Sequence, residues 1–177
     1  MATYQSPAYM NGYIHRTIAD QELPVTASVN VPDGVALQAG DKLYFYRIGA
    51  DHSVNEVTAR FGDLDRAQTP TLTIDIGYEA AVATDDPNAF VSASTLGQTG
   101  GQIRVENGGD DPFAVGALAP IAETIDIVGT VVASASSTAG SGAVGPAAGL
   151  GFVTVSCVVD RRVLGLDPLV TPYDYGA

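Results

Sequence analysis

Tryptophan is absent from the 177 residues, and cysteine and lysine occur once each, as Cys157 and Lys42. Each scarcity removes a class of function. One cysteine allows no internal disulfide. It stands in Phe152-Val-Thr-Val-Ser-Cys-Val-Val159, a strand-like alternation in which a thiol reads as a small buried apolar group. A catalytic thiol needs a base partner, and the only histidines are His15, in the N-terminal segment, and His52, in an expected turn. Cations are few: 8 Lys and Arg against 20 Asp and Glu, for a net charge of −12. Only Arg161-Arg162 forms an adjacent cationic pair. Nucleic-acid affinity comes largely from cations set against phosphates, so no nucleic-acid partner is expected. The same acidity keeps protomers soluble and repels anionic membranes. The lack of tryptophan counts against aromatic-lined sugar clefts.

Charge of either sign is also low, at 16% of residues, against about 25% in ordinary soluble domains. Such a chain either covers its surface with Ser, Thr, Gly and Asn or hides surface in an assembly; the second is the preferred reading. The N-terminus lacks the basic and apolar regions of a targeting signal. Residues 127–159 carry no charge, and a membrane-spanning helix needs only about 20 apolar residues. That stretch is interrupted by Gly129, Gly140, Gly142, Gly145, Pro146, Gly149 and Gly151. It is read as two strands joined by a flexible hairpin loop, with no membrane partner.

What the chain does have is period two. Val25, Ala27, Val29 and Val31 alternate with polar residues and end at Pro32-Asp33-Gly34, a turn. The run 43–48, Leu-Tyr-Phe-Tyr-Arg-Ile, is rich in strand-forming residues. Val57, Ala59 and Phe61 alternate, as do Leu72, Ile74 and Ile76, then Val153, Val155, Cys157 and Val159. Short alternating runs closed by turn residues are the pattern of antiparallel sheets with one buried face. With 102–106, 113–118 and 124–135 there are about eight strands, an all-β antiparallel sandwich or jelly roll. One short helix is expected between Asp86, as cap before Pro87, and Gly97. Residues 21–165 form the sandwich domain. Residues 1–20 read as an extended N-terminal arm and 166–177 as an extended C-terminal tail. Tyr4, Tyr9, Tyr13, Tyr173 and Tyr175 on these ends are the candidate contacts to a neighbouring subunit or to a shell, because each ring supplies contact area at low entropic cost.

No catalytic, cofactor or metal site is expected, and the chain is not expected to be an enzyme. Gly140-Ser-Gly-Ala-Val-Gly145 matches G-x-G-x-x-G, but a dinucleotide loop needs a strand directly before it and a helix directly after. Pro146, Gly149 and Gly151 forbid that helix. Asp63 with Asp65, Asp85-Asp86 and Asp110-Asp111 carry oxygen ligands of the kind calcium takes. None has the spacing of a calcium loop, and turn and capping roles account for them.

Residues 43–65, ending in Phe61-Gly-Asp-Leu-Asp65, and residues 69–79, Thr-Pro-Thr-Leu-Thr-Ile-Asp-Ile-Gly-Tyr-Glu, resemble small structural proteins of tailed phages. Those proteins share a strand ending "D-L-D", a strand "T-(L/I)-T-L-D-(I/V)-G", then an acidic turn and a short helix. The resemblance covers residues 41–97 and departs at Ile48-Gly49-Ala50, where a proline is expected. It implies a capsid decoration or cement protein, made in the host cytoplasm and carried on the capsid surface. Its implied partners are the major capsid protein and further copies of itself, as a trimer. Another virion component (head fibre base, tail or adhesion module) or a carbohydrate-binding sandwich stands as the alternative.

Overall fold

The computed structural model describes residues 1–12, 14–15, 23–50, 52–106, 123–135 and 145–161. In chain order the elements are β1 (Thr3–Gln5), α1 (Pro7–Met10), β2 (Ile14–His15), β3 (Leu23–Asn30), β4 (Lys42–Ile48), β5 (His52–Phe61), β6 (Thr73–Ala80), β7 (Asp86–Ser94), a 3-10 turn (Leu96–Gln98), β8 (Gly101–Glu106), β9 (Ile125–Ala133) and β10 (Phe152–Arg161). The strands from β3 onward form two antiparallel sheets. The first runs β4-β9-β6-β7 and the second β3-β10-β5-β8. Among the described strands from β3 onward, each step but the β6–β7 hairpin crosses from one sheet to the other. That is the connectivity of an eight-stranded jelly roll.

The inward faces are the ones the alternation marks. Val25, Val29, Val57, Ala59, Leu72, Ile74, Ile76, Val153, Val155 and Val159 are all buried in one core. Removing a side chain of this size from water contributes roughly 1.5–3 kcal/mol. The turn at Pro32-Asp33-Gly34 forms as read: Val35 N–H donates to the Pro32 carbonyl at 3.1 Å, and Gly34 takes φ +71°.

Bulges account for the places where period two fails. Phe45 falls outside the β4–β9 register, so it and Tyr46 are buried side by side. A one-residue bulge does this by resetting the alternation. The β6–β7 pairing slips twice, from Ile74↔Ser94 to Ile76↔Val91 to Tyr78↔Asp86.

This irregular strand corrects the helix expected over 86–97. Asp86–Ser94 is an edge strand, and only the 3-10 turn after it is helical. Adjacent Phe90 and Val91 looked helical because bulges place consecutive residues inward. Among the described residues the α-helix is instead α1, where the Ser6 Oγ accepts the Tyr9 N–H and Pro7 opens the first turn. Two smaller corrections follow. The expected hairpin between β9 and β10 is a crossover, since these strands lie in different sheets. His52 is the first residue of β5 and is buried, with Nδ1 2.7 Å from the Ala50 carbonyl.

Candidate interaction surface

The N-terminal segment is docked on its own sheet as a strap along the free edge of β4. β1 pairs with it in parallel, Thr3↔Lys42 to Gln5↔Tyr44, and β2 pairs further along, Ile14↔Arg47 and His15↔Ile48. Between them the chain lifts through α1. The lift coincides with the Phe45 bulge. There the buried Ser6 hydroxyl donates to the Phe45 carbonyl, while the Ser6 N–H donates to the Tyr44 carbonyl at 2.9 Å. A serine that caps α1 and also satisfies the bulge is a local reason for the strap's path. The buried Asp41 carboxylate fastens the other end, accepting from Ala2 N–H at 2.5 Å and Gln38 N–H at 2.9 Å.

α1 contributes no fully buried residue; Ala8 packs against the core, and polar and aromatic contacts add to it. The Tyr9 ring lies 4.8 Å from the Tyr44 ring, centroid to centroid. Its hydroxyl donates to Asp126 Oδ2 at 2.7 Å and accepts from Arg47 Nη2 at 3.2 Å. Arg47 Nε donates to Asp126 Oδ1 at 2.9 Å, and the guanidinium lies 4.7 Å from the Tyr9 centroid. Beside this, Glu79 accepts from both Lys42 Nζ and the Tyr44 hydroxyl. Two cations and two carboxylates cancel, so the cluster is neutral within a strongly acidic chain. Burial, then the Asp126 bond, push the Tyr9 hydroxyl pKa up. Burial and Glu79 do the same for Tyr44. Both phenols therefore stay protonated donors.

Of the tyrosines proposed from sequence as contacts, Tyr4 and Tyr9 lie on this strap, half-buried. Tyr4 packs against the core. Tyr13, Tyr173 and Tyr175 lie outside the described residues. Lys42, Tyr44, Arg47, Glu79 and Asp126 carry the rest of the cluster. Sequence reasoning passed over them because they alternate outward on three strands that meet only through the jelly-roll order. Met1 and Met10 on the strap are exposed, at 89% and 68%.

Two acids of the acidic pairs, Asp65 and Asp85, do turn work. The buried Asp65 accepts Ala67 N–H at 3.3 Å through Oδ1, and Thr71 and Leu72 N–H at 2.8 and 3.1 Å through Oδ2. Asp85 accepts Ala80 N–H at 2.9 Å. Asp110 and Asp111 are outside the described residues, as are residues 140–144 of the glycine motif. Among the described residues no group of three potential metal ligands converges, and no helix is long and apolar enough to cross a membrane. Cys157 is buried, as its alternation required. Burial raises its thiol to about 12, against an opposing bond from the Tyr46 hydroxyl.

No family model matches the chain, and no curated protein matches it. Solved structures do. A chain from the capsid of Ralstonia phage GP4 superposes with a TM-score of 0.64 at 21% identity, over 91% of this chain and 99% of that one. A chain from the capsid asymmetric unit of cyanophage Pam1 superposes with a TM-score of 0.53 at 16% identity, over 85% and 93%. At these identities what is shared is the fold.

Proposed function

We propose that the chain is a structural protein of a tailed-phage virion that decorates the outer capsid surface, binding the major capsid protein as a homotrimer and stabilising the head. The carrying observation is the likeness, over nearly the whole length, to chains from two phage capsids. The resemblance of residues 41–97 to tailed-phage head proteins supports the same role. So does the core: the described strands bury their inward side chains against one another within one chain, which suits a protomer that folds first and joins an assembled shell later. A net charge of −12 discourages premature self-association and contact with DNA. Weak contacts repeated at equivalent shell positions sum by avidity.

The two ends of the chain, 1–20 and 166–177, are the proposed grips, with Tyr4, Tyr9, Tyr13, Tyr173 and Tyr175 supplying contact area. In this account the strap presents Tyr4 and Tyr9 preformed, which lowers the ordering cost of binding. The test is cosedimentation of the purified chain with capsids that lack it, beside a chain missing residues 2–16. Saturable binding of the full chain is expected, with the truncated chain at least about tenfold weaker, or ~1.4 kcal/mol. Equal binding by the truncated chain would remove the N-terminal grip. No binding by the full chain would remove the decoration role. Tagged protein found only on tails would assign the chain to another part of the virion.

A further inference from the structure

We propose that the loop joining β6 to β7 is a docking knob, and that its partner is an apolar recess rimmed by lysine or arginine on the outer face of the capsid shell. The loop tip, Ala81-Val82-Ala83-Thr84, is uncharged and exposed, and Val82 reaches 91% exposure. One exposed valine is ordinary on a protein surface. What is not ordinary is how this one is held. Glu123, from just before β9, places both carboxylate oxygens on consecutive amides of the tip. Val82 N–H donates to Oε2 at 2.7 Å, and Ala83 N–H donates to Oε1 at 2.6 Å. Asp85 closes the loop by accepting Ala80 N–H at 2.9 Å. A tip already held in one conformation loses little freedom on binding.

The charge around the tip selects the partner. Asp85, Asp86 and Glu123 flank it as an acidic collar. Their charges act together on Tyr78, whose hydroxyl pKa is raised first by burial, then by Asp86, Asp85 and Glu123. Among the described residues none of the three acids is in an ion pair, and no three potential ligands converge on a metal ion. The collar is therefore unneutralised negative charge around an apolar point. Its complement is an apolar recess with cations at the rim. A second copy of the chain fits poorly. It brings a further net charge of −12, and its Lys42, Arg47 and Arg104 are already paired. The knob is also continuous with the strap. A depression of about 420 Å³ is lined by Ala80 and Ala81 together with Arg47 and Asp126, the residues that hold Tyr9. Tip and strap thus form one surface. The inference rests on the decoration reading for where the recess lies, and on the tip itself for the chemistry of the recess.

The test is cosedimentation of the full chain and its variants with capsids that lack it, at salt from about 50 to about 500 mM. Val82→Asp should weaken binding at least about tenfold and Val82→Ala severalfold, both with unchanged urea midpoints because the side chain is exposed. Val132→Asp, at an exposed position toward the opposite end of β9, should bind as the unaltered chain does. Binding of the unaltered chain should weaken as salt rises. Asp86→Asn should bind more weakly at low salt and depend less steeply on salt. Full binding by Val82→Asp, an equal loss in Val132→Asp, or binding indifferent to salt would overturn the knob and leave the decoration role standing. Absence of binding by the unaltered chain would overturn both.

Discussion

Ala93 is the described non-glycine residue with positive φ, at 48°. It is exposed, and the Asp75 carboxylate holds it there by accepting its N–H at 2.5 Å. Left-handed backbone costs an L-residue roughly 1–2 kcal/mol, while glycine's extra unfolded-state freedom costs about 0.5–1. Ala93→Gly should therefore stabilise the fold by up to about 1 kcal/mol, read as a higher denaturant midpoint at unchanged slope. A second expectation concerns alkaline pH. Burial raises the Cys157 thiol from 9.0 to about 12. Tyr4, Tyr9, Tyr44, Tyr46 and Tyr78 are likewise pushed above the ordinary 10.0, burial being the largest cause in each. Groups with raised folded-state pKa hold more protons folded than unfolded, so their stabilisation is complete below the unfolded pKa and is lost as pH rises. Urea midpoints should hold to about pH 9 and fall progressively toward pH 12. In Cys157→Ala the fall should begin nearer the tyrosine value of 10.0. A flat profile between pH 9 and 11 would show that these groups are not buried as described.

The strap is the element whose stability should separate from the rest. Its helix buries no residue, and Tyr9 joins it to Asp126 and Arg47. Tyr9→Phe removes both hydroxyl bonds yet leaves the Arg47–Asp126 pair intact. The expected loss is about 1–2 kcal/mol, felt locally. Hydrogen exchange at Ser6 and Met10 should quicken while β9 and β10 keep their protection; uniform acceleration would mean the strap is part of the global folding unit. The strap also shows where sequence was legible. Strand faces in the core could be read because one buried face enforces period two. The Ser6-Pro7 start of α1 was equally present, but a strand, a single helical turn and a strand within thirteen residues leave no period to detect. The Asp86-Pro87 signal misled because a capped turn opens a strand as well as a helix. The motif residues behind the phage resemblance prove to be architectural. Asp65 staples its loop, Asp75 holds Ala93, and Gly77 makes room for β7, since a Cβ there would lie 2.1 Å from the Asp86 carbonyl oxygen. They identify a fold, which is why they pointed toward the right neighbours without marking a binding surface. The candidate surface was less legible. The partners of Tyr9 come from β4 and β9, and only the jelly-roll order brings them together.

At the scale of the whole molecule, low charge has two outlets. Part of it is a hydroxyl surface, as the Thr26–Ser156 and Ser28–Thr154 pairs on the second sheet show. The other part is the assembly proposed above. An acidic protomer with a buried core and a strapped β4 edge should remain soluble alone and gain occupancy only on a lattice that presents many equivalent sites. Cryo-electron microscopy of capsids saturated with the purified chain tests this most directly. The account predicts jelly-roll density on the outer capsid surface, grouped in threes, with the N-terminal strap at the shell or between copies. Saturated mixtures whose capsids carry no added density, or density found on the tail alone, would contradict it.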